Sequence, residues 1–97
     1  MKIKTERMFS GSLSIVLQEP ASWEGFETNA IAWINKLGAT LIGKADTVDE
    51  RVWSIEYKGK SFWISYDDWQ SLITLEPKEQ VKDEEILKIA KEIEKLV

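Results

Sequence analysis

Hydrophobic residues recur at every second position on both sides of a break in residues 51–66, Arg51-Val-Trp-Ser-Ile-Glu-Tyr-Lys-Gly-Lys-Ser-Phe-Trp-Ile-Ser-Tyr66. This alternation is typical of β-strands that bury one face. It is interrupted at Lys58-Gly59, and glycine in the second position of a two-residue turn suits the type I′ geometry, which needs positive φ. The segment therefore predicts a β-hairpin in which Tyr57 lies opposite Lys60.

The register of this hairpin assigns its side chains to two faces, because opposed residues point to the same side of a sheet. One face is apolar and carries Trp53, Ile55, Tyr57, Phe62, Ile64 and Tyr66. The other face is small and polar apart from a valine and a tryptophan, and it carries Val52, Ser54, Glu56, Ser61, Trp63 and Ser65. We expect the first face to lie in the core and the second to face away from it.

A first amphipathic helix is predicted over residues 23–37, where apolar residues recur at three- and four-residue steps. Ser22 is a plausible N-cap, and Gly38 suits a left-handed C-terminal cap. Because Gly25 weakens the opening turn, a start near Glu27 is the alternative.

A second amphipathic helix is predicted over residues 83–97, with Asp83 as its N-cap. Its apolar stripe contains Ile86, Ile89, Ala90, Ile93 and either Leu96 or Val97.

Three further strands are predicted at residues 13–18, 39–45 and 71–76, and residues 1–10 are either a flexible arm or an added edge strand. Together the elements predict one α+β domain over residues 1–97. Their order is β-α-β-β-β-β-α, an antiparallel meander sheet with both helices packed on one face.

Composition and charge narrow the classes of function. The chain is 43% hydrophobic and 31% charged, as in globular proteins, and its net charge of −4 disfavours binding to nucleic-acid phosphates. The same charge is compatible with a basic protein partner, or it serves solubility alone. No apolar run approaches the roughly 20 residues of a membrane helix, and the charged N-terminal segment is unlike a signal peptide. We expect a cytoplasmic protein.

Few residues in the chain could carry catalysis. The absence of histidine and cysteine excludes the familiar nucleophilic triads and thiolate metal sites. Acidic residues cluster at 46–50 and at Asp67-Asp68, but they lack the spacing of a calcium loop and are typical of solvated turns. We expect a non-enzymatic protein with neither a cofactor nor a metal.

The five tryptophans are the unusual feature of the composition. Trp33 and Trp53 are expected in the core, and Trp23 is expected to pack as a staple at the start of the first helix. Trp63 faces away from the predicted core, where the N-terminal arm, a homodimer mate or Val52 could cover it. Trp69 follows two aspartates in a turn, where its burial is open.

Exposed aromatic side chains often anchor protein contacts. The candidate partner-binding residues are therefore Trp63, Trp69, Asp67, Asp68, Ser54 and Ser65. The expected partner is another protein, basic in charge, or a second copy of the chain in a homodimer. Two other hypotheses stay open: a binder that stacks a small ligand or single-stranded nucleic acid on Trp63 and Trp69, and a minor enzyme that uses the Asp67/Asp68 pair.

The aromatic and aliphatic alternation of residues 52–66, followed by Leu72-Ile-Thr-Leu-Glu76, resembles a family of small single-domain bacterial proteins of unknown function. The resemblance implies a bacterial source and no assigned activity. In size and charge the chain is also similar to small acidic α+β immunity proteins, which neutralise a basic toxin domain. That likeness implies an immunity or inhibitor role.

Overall fold

The computed structural model describes residues 3–7 and 11–96. Its elements are β1 Lys4–Arg7, β2 Leu13–Gln18, α1 Phe26–Leu37, β3 Thr40–Asp46, β4 Arg51–Tyr57, β5 Lys60–Asp67, β6 Leu72–Pro77 and α2 Asp83–Glu94. The strands form one antiparallel sheet in the order β1-β2-β6-β5-β4-β3. The predicted α+β class is confirmed, but the predicted order of elements lacks the N-terminal strand.

The predicted register of the central hairpin is confirmed. Tyr57 lies opposite Lys60, and Trp63 lies opposite Ser54. Lys58 and Gly59 both have positive φ, 52° and 78°, as the type I′ turn requires. The twist of this turn matches the right-handed twist of the two strands that it joins. The alternating residues of the sequence therefore lie on alternate faces of the sheet.

The N-terminal segment forms an edge strand over residues 4–7 rather than a flexible arm. β1 pairs with β2, and α2 ties it down at both ends. The Ile3 N–H donates to Glu94 Oε1 at 2.8 Å, and the Arg7 guanidinium pairs with the Asp83 carboxylate at 2.9 Å. Two distant parts of the chain thus hold the edge strand in place.

The first helix begins at Phe26, three residues after the first predicted start and one residue before the alternative start at Glu27. Ser22 Oγ accepts a hydrogen bond from the Gly25 N–H at 3.0 Å, which closes a separate turn before the helix, and the N-cap position falls to Gly25 without a side-chain cap. The end of the helix is as predicted, with Gly38 in the left-handed conformation.

The predicted staple role of Trp23 is replaced by two other contacts. Its ring packs edge-on against Tyr66 with the centroids 6.0 Å apart. The Arg51 guanidinium lies 5.0 Å from the Trp23 centroid. The tryptophan therefore joins the turn before α1 to strands β4 and β5.

The second helix is shorter than predicted and has another cap. Lys82, with extended backbone, occupies the N-cap position. Asp83 is the first helical residue and pairs with Arg7 instead of capping. Leu96 is exposed beyond the helix and does not belong to the buried stripe, whereas Val97 lies outside the described residues.

Two strands begin one residue later than predicted. β3 runs over Thr40–Asp46 and β6 over Leu72–Pro77. Pro77 is the last residue of its strand, in keeping with the lack of an N–H group that could donate to the ladder.

One hydrophobic cluster contains buried residues from both helices and from the apolar face of the hairpin. Its members are Ile3, Leu13, Ile15, Leu17, Phe26, Ala30, Trp33, Ile34, Leu37, Trp53, Ile55, Tyr57, Phe62, Ile64, Ile73, Leu75, Ile86, Ala90 and Ile93. The core positions predicted for Trp33 and Trp53 are confirmed. Neither helix in the described part of the chain is long and apolar enough to cross a membrane.

Candidate functional site

The structure separates the predicted partner-binding residues into two groups. Ser54, Trp63 and Ser65 lie on the face of β4 and β5 that carries none of the cluster residues, here called the outer face. Asp67, Asp68 and Trp69 lie at the end of β5 and in the turn that follows it. The two groups therefore have to be considered one at a time.

Trp63 lies in the middle of the outer face and is half-buried. Its neighbours across the sheet are Ser54 on β4 and Glu76 on β6. The Lys78 ammonium lies 4.1 Å from the centroid of the Trp63 ring and also donates to Ser54 Oγ. This arrangement is a cation–π contact, and the lysine shields one side of the ring from solvent.

The N-terminal segment does not cover Trp63 within the described residues. β1 lies at the edge of the sheet, with β2 and β6 between it and β5. Lys78, which comes from the segment after β6, lies against the ring.

Two serines near Trp63 have hydrogen-bond partners inside the molecule. Ser54 Oγ accepts from Lys78, and Ser65 Oγ and Thr74 Oγ1 are 3.1 Å apart and share a hydrogen bond. Partial burial raises the pKa of the Glu76 carboxyl above its ordinary value. The hydroxyl groups of both serines are therefore already engaged within the molecule.

No local pattern of the sequence identifies Lys78 and Glu76 as neighbours of Trp63. Residues 78–82 have no periodicity that would place Lys78 on a strand or a helix. Its N–H donates to the Ser61 carbonyl at 3.0 Å, which continues the ladder between β5 and β6. Extending the antiparallel register of those strands by one pair would have placed it beside Trp63.

The turn that carries Trp69 is closed by hydrogen bonds to one carboxylate. Asp67 Oδ1 accepts from the backbone N–H of Trp69 at 2.9 Å and of Gln70 at 3.3 Å. Ser71 completes the turn with a φ of 56°. The Trp69 side chain is 97% exposed. A large apolar side chain is thus held in solvent by an ordered backbone.

A second turn lies at the same end of the sheet. In residues 47–50 the Thr47 N–H donates to the Glu50 carbonyl at 2.8 Å, and the Val48 side chain is 97% exposed. Because β3, β4, β5 and β6 are neighbours in the sheet, the β3–β4 and β5–β6 turns lie two strand spacings apart, about 10 Å. Residues 47–50 and 67–71 are called the loop end below.

The loop end is negatively charged. It contains Asp49, Glu50, Asp67 and Asp68 and no lysine or arginine. The ion pairs found among residues 3–7 and 11–96 all use other carboxylates. In the same part of the chain, no group of three acidic residues could hold a metal ion. The end of the sheet therefore presents two apolar tips within an acidic rim.

Comparison with models of protein families gives a match over most of the chain. A family model described as "Protein of unknown function (DUF3630)" matches residues 3–93. Neither a curated protein nor a solved structure matches the chain. Since the family model covers all six strands and nearly all of α2, the chain belongs to the DUF3630 family of proteins of unknown function.

Proposed function

We propose that the chain is a non-enzymatic protein-interaction module whose loop end binds the basic surface of another protein. The observation that carries the proposal is Trp69, which is almost completely exposed on a turn closed by Asp67. Tryptophan is enriched among the residues that dominate binding energy at protein interfaces.

The order of this turn favours tight binding. Association costs free energy for each side chain and loop that must be immobilised. Two hydrogen bonds to the Asp67 carboxylate already fix the backbone on both sides of the Trp69 Cα. Trp69 can enter a pocket of the partner with little further ordering of its loop.

The negative charge of the acidic rim indicates that the proposed partner is basic. Asp49, Glu50 and Asp68 surround the apolar tips and have no cationic neighbour within the loop end. Lysine and arginine side chains on a partner would complement them, steer the encounter and exclude acidic surfaces. We expect the rate of association to fall as the ionic strength rises.

In this proposal the sheet and the two helices hold the loop end in position. Both helices cover the apolar face of the sheet, a packing supported by the single cluster that contains residues of both. The outer face around Trp63 is a secondary contact, because Lys78 and Ser54 already satisfy one another there. A bacterial immunity or inhibitor protein that neutralises a basic toxin domain in the cytoplasm is the concrete form of this function.

The test combines identification of the partner with a direct binding measurement. The full chain captures proteins from a bacterial lysate, the captured protein is identified and purified, and its affinity is measured by calorimetry. Trp69→Ala is expected to weaken binding at least tenfold, since loss of a dominant interface residue costs about 2 kcal/mol or more. Leu96→Ala, which removes another exposed apolar side chain far along the chain, serves as the control.

The proposal is wrong if Trp69→Ala binds the purified partner as tightly as the wild-type chain does. A single-stranded oligothymidylate tests the other class of function in parallel. Quenching of tryptophan fluorescence by this probe, abolished in Trp69→Ala and steeply weakened by salt, would replace the proposal with nucleic-acid stacking.

A further inference from the structure

The strand β3 is a free edge of the sheet. It pairs with β4 on one side, and no strand of the described residues lies on its other side. It is seven residues long, whereas the opposite edge strand β1 has four residues, three of them charged. Short and charged edges resist pairing with other chains, and long edges promote it.

The backbone groups that face this free edge follow from the turn after β3. The Thr47 N–H donates across the turn to Glu50, so Thr47 directs its backbone toward β4. Successive residues of a strand direct their backbone groups to opposite edges. Ala45 therefore also bonds toward β4, and Lys44 and Asp46 present their N–H and C=O groups to the free edge.

Apolar side chains flank these groups. Ile42 lies at an irregularity in the pairing of β3 with β4 and is 61% exposed, and Leu41 beside it is also exposed. Ile31 of α1 is exposed as well. It follows Glu27 by one helical turn, and Glu27 pairs with Lys44 at 3.5 Å, so Ile31 lies on the side of α1 that faces β3. Exposed apolar side chains therefore lie beside the unpaired backbone groups of β3.

We propose that β3 pairs antiparallel with β3 of a second copy of this chain, around a two-fold axis at Ala45. In this register Lys44 of each copy lies opposite Asp46 of the other, and both residues have their backbone groups directed at the partner strand. Opposite charges in directly opposed positions stabilise a sheet. An axis at Lys44 or at Asp46, the two nearest registers that also join outward-directed groups, would place two lysines or two aspartates against each other.

The same register accounts for the exposed side chains of the edge. Ile42 lies two residues before Lys44 on this edge and comes close to the turn at residues 47–50 of the second copy, which covers part of its exposed side chain. The small Ala45 side chains meet at the axis, where the Cα atoms of a non-hydrogen-bonded pair lie only about 4.5 Å apart. The six-stranded sheets of the two copies become one continuous sheet. Trp69 and Asp68 lie two strand spacings from the β3–β4 turn and stay exposed.

The first test is the mass of the full chain in solution, measured by sedimentation equilibrium from micromolar to submillimolar concentration. We expect a species of twice the 11.2 kDa chain mass. Ile42→Lys, which adds a charge of the kind that blocks edge strands, is expected to raise the dissociation constant at least about tenfold. Leu87→Lys places the same charge at an exposed leucine of α2 and is expected to leave the mass unchanged.

The second test addresses the register with two complementary variants. In Lys44→Asp two carboxylates face each other in every pair, and in Asp46→Lys two ammonium groups do, so each variant alone is expected to be monomeric. In an equimolar mixture each carboxylate faces an ammonium group, and a mixed dimer is expected. Both residues contact Trp53, so thermal unfolding of each variant is recorded first to confirm that it folds. If either variant fails to fold, the interface is tested with Ile42→Lys alone.

A monomeric wild-type chain at the highest concentration, or a dimer that Ile42→Lys leaves intact, overturns the proposed interface. Dimers of either charge variant alone, or a mixture of folded variants that stays monomeric, overturn the register. The two proposals share the turn at residues 47–50, and their tests separate them: Ile42→Lys is expected to break the dimer and leave the binding of a basic protein to Trp69 in place, whereas Trp69→Ala is expected to leave the dimer intact.

Discussion

At the scale of single residues, three tryptophans of the sheet region occupy three environments. Trp53 is fully buried, meets Phe26 edge-on with the centroids 5.2 Å apart, and donates from Nε1 to Asp46 at 2.9 Å. Trp63 is half-buried beneath the Lys78 ammonium, and Trp69 stands in solvent. The residue type is the same, and the register and the neighbours assign each one to the core, to the outer face or to a surface tip.

The Glu76 carboxyl beside Trp63 leads to a prediction about pH. Burial raises its pKa, so the folded protein holds its proton more readily than the unfolded chain does. The ionised carboxylate therefore lowers stability near pH 7, and this penalty disappears as the pH falls through the raised pKa. Since the group is partly in solvent, we expect Glu76→Gln to raise Tm only slightly at pH 7, by about 2 °C.

Thermal unfolding of both proteins between pH 7 and pH 3.5 provides the check. The difference in Tm should shrink on acidification and vanish below the ordinary glutamate pKa of about 4.3. A difference that stays constant with pH would show that the effect of Glu76→Gln is unrelated to ionisation.

At the scale of elements, the hairpin of β4 and β5 depends on its two-residue turn. Gly59 has a φ of 78°, in the left-handed region that favours glycine. An added Cβ would meet no atom within 4 Å, so the cost of a side chain there is conformational rather than steric with respect to neighbours.

We therefore expect Gly59→Ala to lower the free energy of unfolding by about 1 kcal/mol, and Tm by about 4–8 °C in a chain of this size. Gly43→Ala is the matched control, since its φ is not positive and its added Cβ also meets nothing within 4 Å. The control should be neutral or stabilise by about 0.4–1 kcal/mol. Equal losses in the two variants, measured by chemical denaturation, would contradict the assignment to backbone conformation.

At the scale of the whole molecule, α2 connects the edge strand β1 with the turn of the β4–β5 hairpin. On one side it holds β1 through Arg7–Asp83 and through Glu94, and on the other it meets the hairpin turn through Lys58–Glu92 at 2.8 Å and Lys60–Glu85 at 3.1 Å. The Lys58 ammonium lowers the pKa of Glu92. These exposed pairs orient the helix, while most of the stabilisation comes from the apolar residues that it buries.

A substitution at Ile93 tests whether the buried apolar residues of α2 supply most of its stabilisation. Its side chain is fully buried in the cluster, so Ile93→Ala is expected to cost about 2–5 kcal/mol of unfolding free energy through lost burial and the cavity left behind. Leu96→Ala, at the exposed end of the same segment, should cost less than about 0.5 kcal/mol. Similar costs for the two substitutions in denaturant titrations would mean that α2 packs in another orientation.

How far the sequence predicts this protein depends on how local each feature is. The register of the hairpin, its turn and the end of α1 were predicted to the residue, because alternation and glycine conformation are properties of adjacent residues; β5 continues one residue further than predicted, to Asp67. The start of α1 and the N-cap of α2 were not. Ser22 and Asp83 are good caps in isolation, and tertiary contacts assign them to a preceding turn and to Arg7 instead.

The sequence by itself determined the α+β class, the two faces of the hairpin and the outward position of Trp63, since a period of two residues admits no other arrangement once one face is buried. Only the tertiary structure decided that β1 is an edge strand, that Lys78 covers Trp63, and that the turns carrying Val48 and Trp69 lie side by side. These features depend on which strands become neighbours. That choice is made by the packing of residues far apart along the chain, which no local pattern records.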